Sequence, residues 1–237
     1  MSEWWTYRLS DLILFSRDVY YRTFALYHHG IWPAHVVLIL MVALAAVACH
    51  RARDDASRGR IVTGLLAICW SWIAIAFHAH RYATINWAAT YFAGAFVLQA
   101  VLLLWVGLRG RVAVDGRSIQ VILVGLGVLA VAGPLGGLMT GRQWDQVELL
   151  GLTPDPTAAA TILVLGLSMP RVSRLTLVIP IVWCLVGGLT LNALHSPEAW
   201  WTWSSALASL AVAATAGGEG RFRLPGRGSA GSSPGVQ

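Results

Sequence analysis

Apolar residues in this chain come in long unbroken runs, without the alternation of a half-buried strand or the single stripe of a surface helix. The runs lie at roughly 33–49, 61–79, 86–108, 118–139, 156–169, 175–194 and 199–216, separated by short polar joints. Most approach the roughly 20 residues a helix needs to cross a hydrocarbon core of about 30 Å. The pattern predicts an all-α, polytopic helical bundle over residues 33–216 with about seven transmembrane segments. Residues 1–32 mix aromatic, basic and apolar side chains, which suits an interfacial amphipathic helical segment with Ser10 and Ser16 as N-caps and Gly30 as terminator. Trp32 precedes Pro33, so the first span should open at that proline. Residues 217–237, rich in Gly, Ser, Pro and Arg, cannot bury a core and are expected to form a disordered tail.

The fifth run is too short. Asp155 and Pro156 read as an N-cap acid followed by proline at the first helical position, and Pro170 marks the far end. About fourteen residues remain, roughly 21 Å of helix at 1.5 Å per residue. Either the bilayer thins there, or residues 151–155 enter it as non-helical backbone, which is tolerated only where protein or water lines a cavity. The second option sets Asp155 below the membrane surface at the positive end of a helix dipole.

Composition agrees with the pattern: 57% of the residues are hydrophobic and 12% charged, outside the range of ordinary soluble domains. The net charge of +6 comes from arginine alone. Twelve arginines fall in alternate loops and the tail, against five on the other side including Arg8, Arg17 and Arg22. The positive-inside rule then puts the C-terminus in the cytoplasm and the N-terminus outside. The charge reads as topology signal, so nucleic acid is not an expected partner. Without lysine no retinal Schiff base can form. Cys49, Cys69 and Cys184 are too widely spaced for a disulfide framework or a Cys-x-x-Cys metal site.

This orientation sorts the chemistry. Six of the seven histidines fall on the outer side, together with Asp145, Glu148, Asp155 and Glu198. The joint from Phe77 to Trp87 carries His78, His80, Arg81 and Asn86, and with Asp155 these form the candidate polar site. In extended backbone, His78 and His80 share a side, and His29, His35 and His195 could join them around a metal ion or haem iron. Arg81 is expected to bridge to Asp145, Glu148 or Asp155. Trp4, Trp5, Tyr20 and Tyr21 are candidates for docking a partner.

Ser2-Glu3-Trp4-Trp5-Thr6-Tyr7-Arg8-Leu9-Ser10-Asp11, the joint His80-Arg81-Tyr82-Ala83-Thr84-Ile85-Asn86-Trp87-Ala88-Ala89, and Gly151-Leu152-Thr153-Pro154-Asp155-Pro156-Thr157 carry a resemblance. Over roughly residues 2–215 the chain resembles a bacterial family of multi-pass membrane proteins known only as a domain of unknown function. That family commonly has cysteine where this chain has Asp155 and proline where it has Thr84. The resemblance implies the fold and a bacterial inner-membrane location, which would make the outer side, and with it the N-terminus, periplasmic; it gives no activity.

His-Glu-x-x-His, Gly-x-Ser-x-Gly, P-loop, dinucleotide and haem-attachment motifs are absent from the sequence. The expected function is therefore a non-catalytic accessory or scaffold subunit that docks a membrane-protein partner or a second copy within the lipid bilayer. The alternatives are a small transporter or channel-like protein for protons, metal ions or a small solute, and a periplasm-facing metal or haem redox protein.

Overall fold

The computed structural model describes residues 13–168 and 174–219, and among them every regular element is helical. Helix α1 spans Arg17–Gly30, α2 Ala34–Arg51 and α3 Asp55–Trp72, which continues as a π-helix over Ile73–Ala79. A 3₁₀ turn at Tyr82–Thr84 leads to α4, Ala89–Leu108, and then α5, Gly116–Met139. Helix α6 spans Pro154–Leu167, α7 Val178–Ala193 after a 3₁₀ turn at Arg174–Leu177, and α8 Ala199–Glu219. Each apolar run of the sequence has become one helix. Five of the described helical segments are long and apolar enough to cross a membrane: Ala34–Arg51, Asp55–Thr84, Ala89–Leu108, Gly116–Met139 and Leu175–Ala193.

Helix starts follow side-chain chemistry. The Ser16 hydroxyl accepts the Val19 N–H, and the carboxylates of Asp54 and Asp115 accept the N–H groups of Ser57 and Ser118 at 2.7 and 2.6 Å. Asp54 explains why α3 begins six residues before its apolar run, through the charged Asp55, Arg58 and Arg60. The segment Trp4, Trp5 and Ser10, and the tail from residue 220 onward, lie outside the described residues.

Helix α6 is the axis of the bundle. All but two of its fourteen residues are buried, against α3, α5, α7 and α8. This resolves the short run: a helix that faces protein on every side has no hydrocarbon width to match. The small side chains of Ala158, Ala159 and Ala160, all fully buried, let the neighbours close in. The backbone entering α6 is buried and non-helical, with Gly151 at φ +84°. Its polar groups are met from within: the Gly151 N–H donates to the Thr157 hydroxyl at 2.9 Å, and that hydroxyl donates to the Thr153 carbonyl at 2.7 Å. Peripheral helices are different. In α2 only Cys49 is buried, and α2 approaches the bundle chiefly along α3.

Helix α1 is seated on the bundle. Tyr27 donates its hydroxyl to the Leu152 carbonyl at 2.8 Å and accepts the Trp72 indole N–H at 2.9 Å. Phe24 and Tyr27 lie 5.1 and 5.2 Å from the Phe77 ring, and Tyr20 packs on Tyr82. The amphipathic pattern of residues 17–30 is satisfied by protein as much as by a membrane surface.

Candidate functional site

One end of the bundle collects the ends of α1, α5 and α7 and the starts of α2, α6 and α8. There Arg142, in the turn after α5, is buried between two carboxylates: its Nη1 lies 3.3 Å from Glu198 Oε1 and 3.6 Å from Glu148 Oε1. Its guanidinium is also stacked over the rings of Tyr21 at 4.4 Å and Phe24 at 5.0 Å, which places α1 as the roof. Its Nε and Nη2, and Glu148 Oε2, have no hydrogen-bond partner among the described residues. Thr140 donates to Glu198 Oε2 at 3.4 Å, and the hydroxyl of Tyr21 bonds that of Ser196.

Asp155 forms the floor. It does not cap its own helix: Thr153 holds the N-cap position and Pro154 the first turn, correcting the sequence reading. Asp155 Oδ1 accepts the Trp183 indole N–H at 2.8 Å, and Oδ2 faces the Thr202 hydroxyl at 3.5 Å. The carboxylate fits because residue 187 is glycine; a Cβ there would lie 2.6 Å from both carboxylate oxygens. Gly187 is six residues inside the end of α7 at Ala193, so Asp155 lies about 9 Å below that end at 1.5 Å per residue. A cavity of about 30 Å³ touches Arg142, Glu148, Asp155, Glu198 and Thr202. That exceeds the roughly 10–15 Å³ one water requires.

Three carboxylates and one guanidinium, all ionised, would leave two uncompensated negative charges in the interior. The penalty is several kcal/mol per ion, which favours the protonated form of Glu148. Burial pushes the Glu148 carboxyl well above the ordinary range, with the charge of Asp155 adding to the effect and Arg142 opposing it. Burial likewise raises the Tyr21 hydroxyl to about 12, so the roof stays neutral.

The joint at Phe77–Trp87 behaves differently from its reading as extended backbone. Its first three residues close the π-helix, where His78 is fully buried, while His80, one residue beyond it, is exposed. The two histidines share no pocket. His78 stands in an aromatic box, 4.4 Å from Phe96 and 4.8 Å from Trp183, and neither ring nitrogen has a partner among the described residues. Among the described residues, the Trp183 indole links it to the chamber. A π-helix is a frequent mark of functional positions.

The other named residues disperse. Arg81 donates to the Leu26 carbonyl at 3.2 Å, and the acid pairing expected of it is made by Arg142. Asn86 Oδ1 accepts the Ala88 N–H. His29 is exposed and lies 3.3 Å from Asp145, and His195 is exposed at φ +51°. His35 is half-buried and bonds His28, whose other ring nitrogen donates to the Val147 carbonyl, both at 3.0 Å. Among the described residues no three His, Cys, Asp or Glu side chains are placed to hold a metal ion. Tyr20 is buried in the aromatic core and Tyr21 is half-buried in the roof, so neither offers the open docking face expected of them.

Sequence reasoning missed Arg142, Glu148 and Glu198 as members of one site, and missed Trp183 altogether. The available signal was an excess of acids, Asp145, Glu148, Asp155 and Glu198, in two short joints of a chain with few charges. Residues 17–219 match a family described as a family of unknown function, DUF6064. No curated protein and no solved structure matches the chain.

Proposed function

This chain belongs to DUF6064, a family of unknown function, and on that premise we propose that it is a polytopic, transporter-like membrane protein that takes up and releases protons at the Arg142 chamber. The observation that supports this is the pairing of the buried Arg142 guanidinium with Glu148 and Glu198, with a third carboxylate, the buried Asp155, on the same water-sized cavity. Intramembrane carboxylates of this kind mark proton relays. Arg142 occupies the place a metal cation would take, which makes the proton the ion of choice. In this reading the chain crosses the bilayer seven times, with the arginine-rich end in the cytoplasm and the chamber opening to the periplasm of a bacterial inner membrane.

The test is flux. Protein reconstituted in liposomes containing a pH-sensitive dye is given a pH step. Wild type should dissipate the gradient and Glu148→Gln should fall to the rate of protein-free liposomes. Wild-type vesicles as tight as empty ones, with and without candidate solutes, would remove the proposal.

A second reading, an accessory subunit that docks a membrane-protein partner, is favoured by α2, where Ile39, Leu40 and Leu44 are each more than half exposed. It expects one defined partner to co-purify in mild detergent and to be lost in Leu40→Trp/Leu44→Trp, or on deleting residues 1–12, which carry Trp4 and Trp5. A chain that purifies alone under those conditions rules it out.

A further inference from the structure

The end of the bundle opposite the chamber carries a second cavity, unrelated to proton chemistry. It is a groove of about 380 Å³ between α2, α3 and α5. Its walls are apolar, with Ala46 on α2, Val62 and Leu66 on α3, and Ile122 and Leu126 on α5. Its base is Val164 of the enclosed helix α6. The groove exists because α2 lies along α3 without closing on α5. At its outer end stand His50 and Arg58.

Dimensions choose among occupants. From Gly116 to Leu126, both in its lining, α5 rises about 15 Å at 1.5 Å per residue. A volume of about 380 Å³ over that length is a cross-section of about 25 Å². A helix at least roughly 10 Å across needs about 80 Å², so neither a partner helix nor a second copy of α2 fits. A single hydrocarbon chain, running inward from the helix ends, does.

Charge chooses the headgroup. The acids at this end are engaged: Asp54 accepts from Ser57, Asp115 caps α5 through Ser118, and Asp55 is paired with Arg58 at 2.7 Å. Arg58 also donates to the Cys49 and Ala52 carbonyls, which fixes it at the C-terminus of α2. Arg51 and Arg53, exposed beside His50, have no ion-pair partner among the described residues. The comparable cleft at the other end of α2, about 440 Å³ and lined by Trp32, Met41, Ile68 and Trp72, has no charged residue in its lining. Cationic side chains beside a membrane surface favour anionic lipid by about 1 kcal/mol each.

We propose that the α2–α3–α5 groove binds one anionic glycerophospholipid of the bilayer, with an acyl chain lying along Ala46, Leu66 and Ile122 and the phosphate held at the His50, Arg51 and Arg53 end. The site makes α2, otherwise attached along one face, part of the bundle through a bound lipid.

The experiment is lipid retention. Full-length protein is purified in mild detergent from liposomes containing equal phosphatidylglycerol and phosphatidylethanolamine, and bound lipid is counted by mass spectrometry. Wild type should keep about one phosphatidylglycerol per chain. Ala46→Trp on α2 and Leu123→Trp on the facing wall should each empty the groove, with unchanged size-exclusion profiles; two walls are used so that one misfolded variant leaves the other to decide. Arg51→Gln/Arg53→Gln should retain lipid but lose preference for phosphatidylglycerol by about fivefold per charge removed. The proposal fails if wild type retains no lipid, if it retains the two headgroups equally, if both tryptophan variants retain lipid as wild type does, or if the groove variants instead convert a dimer to a monomer.

Discussion

Acidification tests how α1 is held over the chamber, and His28 makes the test quantitative. Its Nε2 donates to the Val147 carbonyl and its Nδ1 lies 3.0 Å from His35 Nε2, an arrangement complete with both rings neutral. Burial, with a further push from the nearby Arg142 charge, lowers its pKa from 6.5 to about 4. A protonated ring would require His35 to accept at Nε2. Between pH 6.5 and 4 the unfolded chain therefore binds the proton that the native state refuses, and stability falls as pH falls through that window. At 1.36 kcal/mol per unit the cost is about 2 kcal/mol at pH 5, approaching an upper value of about 3.4 kcal/mol below pH 4. For a chain of this size that is a Tm drop on the order of 4–8 °C between pH 7 and pH 5. His28→Gln isolates the effect, because its amide can donate to Val147 and accept from His35 without titrating. Thermal melts of the detergent-solubilised protein at pH 7, 6 and 5 should show wild type losing about 2 kcal/mol more than the variant on acidification. Other acids titrate in both proteins and cancel in the difference. Parallel pH profiles would refute the reasoning, and hydrogen exchange should place the wild-type loss in residues 17–30.

Arg142→Met removes the only cation between Glu148 and Glu198 while keeping apolar volume under Tyr21 and Phe24; breaking a buried ion pair of this kind costs about 3–5 kcal/mol, read as a Tm loss in detergent at pH 7. Trp183→Phe keeps the ring against His78 and Phe96 but deletes the donor to Asp155, and should cost about 1.5–3 kcal/mol; a neutral result would show the 2.8 Å bond is not made in the membrane. Gly187→Ala puts a methyl against the Asp155 carboxylate, with an overpacking cost of about 1–3 kcal/mol. In liposomes the same variant should slow proton release, whereas Gly127→Ala, a helical glycine whose added Cβ meets nothing within 4 Å, should leave flux unchanged and raise stability by about 0.4–1 kcal/mol.

Element number, element type and most boundaries were present in the sequence because they depend on local quantities. A run of apolar residues near the width of a bilayer is a helix wherever it sits, and Ser16 and Gly30 bound α1 as read, whereas α3 starts ahead of its run at the Asp54 cap and α6 at Thr153 in place of Asp155. The gathering of ionisable groups at one end followed too, since alternate joints between antiparallel spans must meet. Asp155 was recognised as anomalous because fourteen residues are too few for a span. Which groups touch was decided only by tertiary packing. Arg142 took the acid expected of Arg81 because the turn after α5 projects it under α1, and a guanidinium drawn into a low-dielectric site is fixed by whichever carboxylates can reach it. His78 and His80 parted because the backbone there is helical and not extended, which sends residues two apart to nearly opposite faces, and packing against Phe96 and Trp183 drew His78 inward. Trp183 was invisible among twelve tryptophans. Only the absent side chain at Gly187, on the next turn of the same helix, gives Asp155 the room to meet its indole.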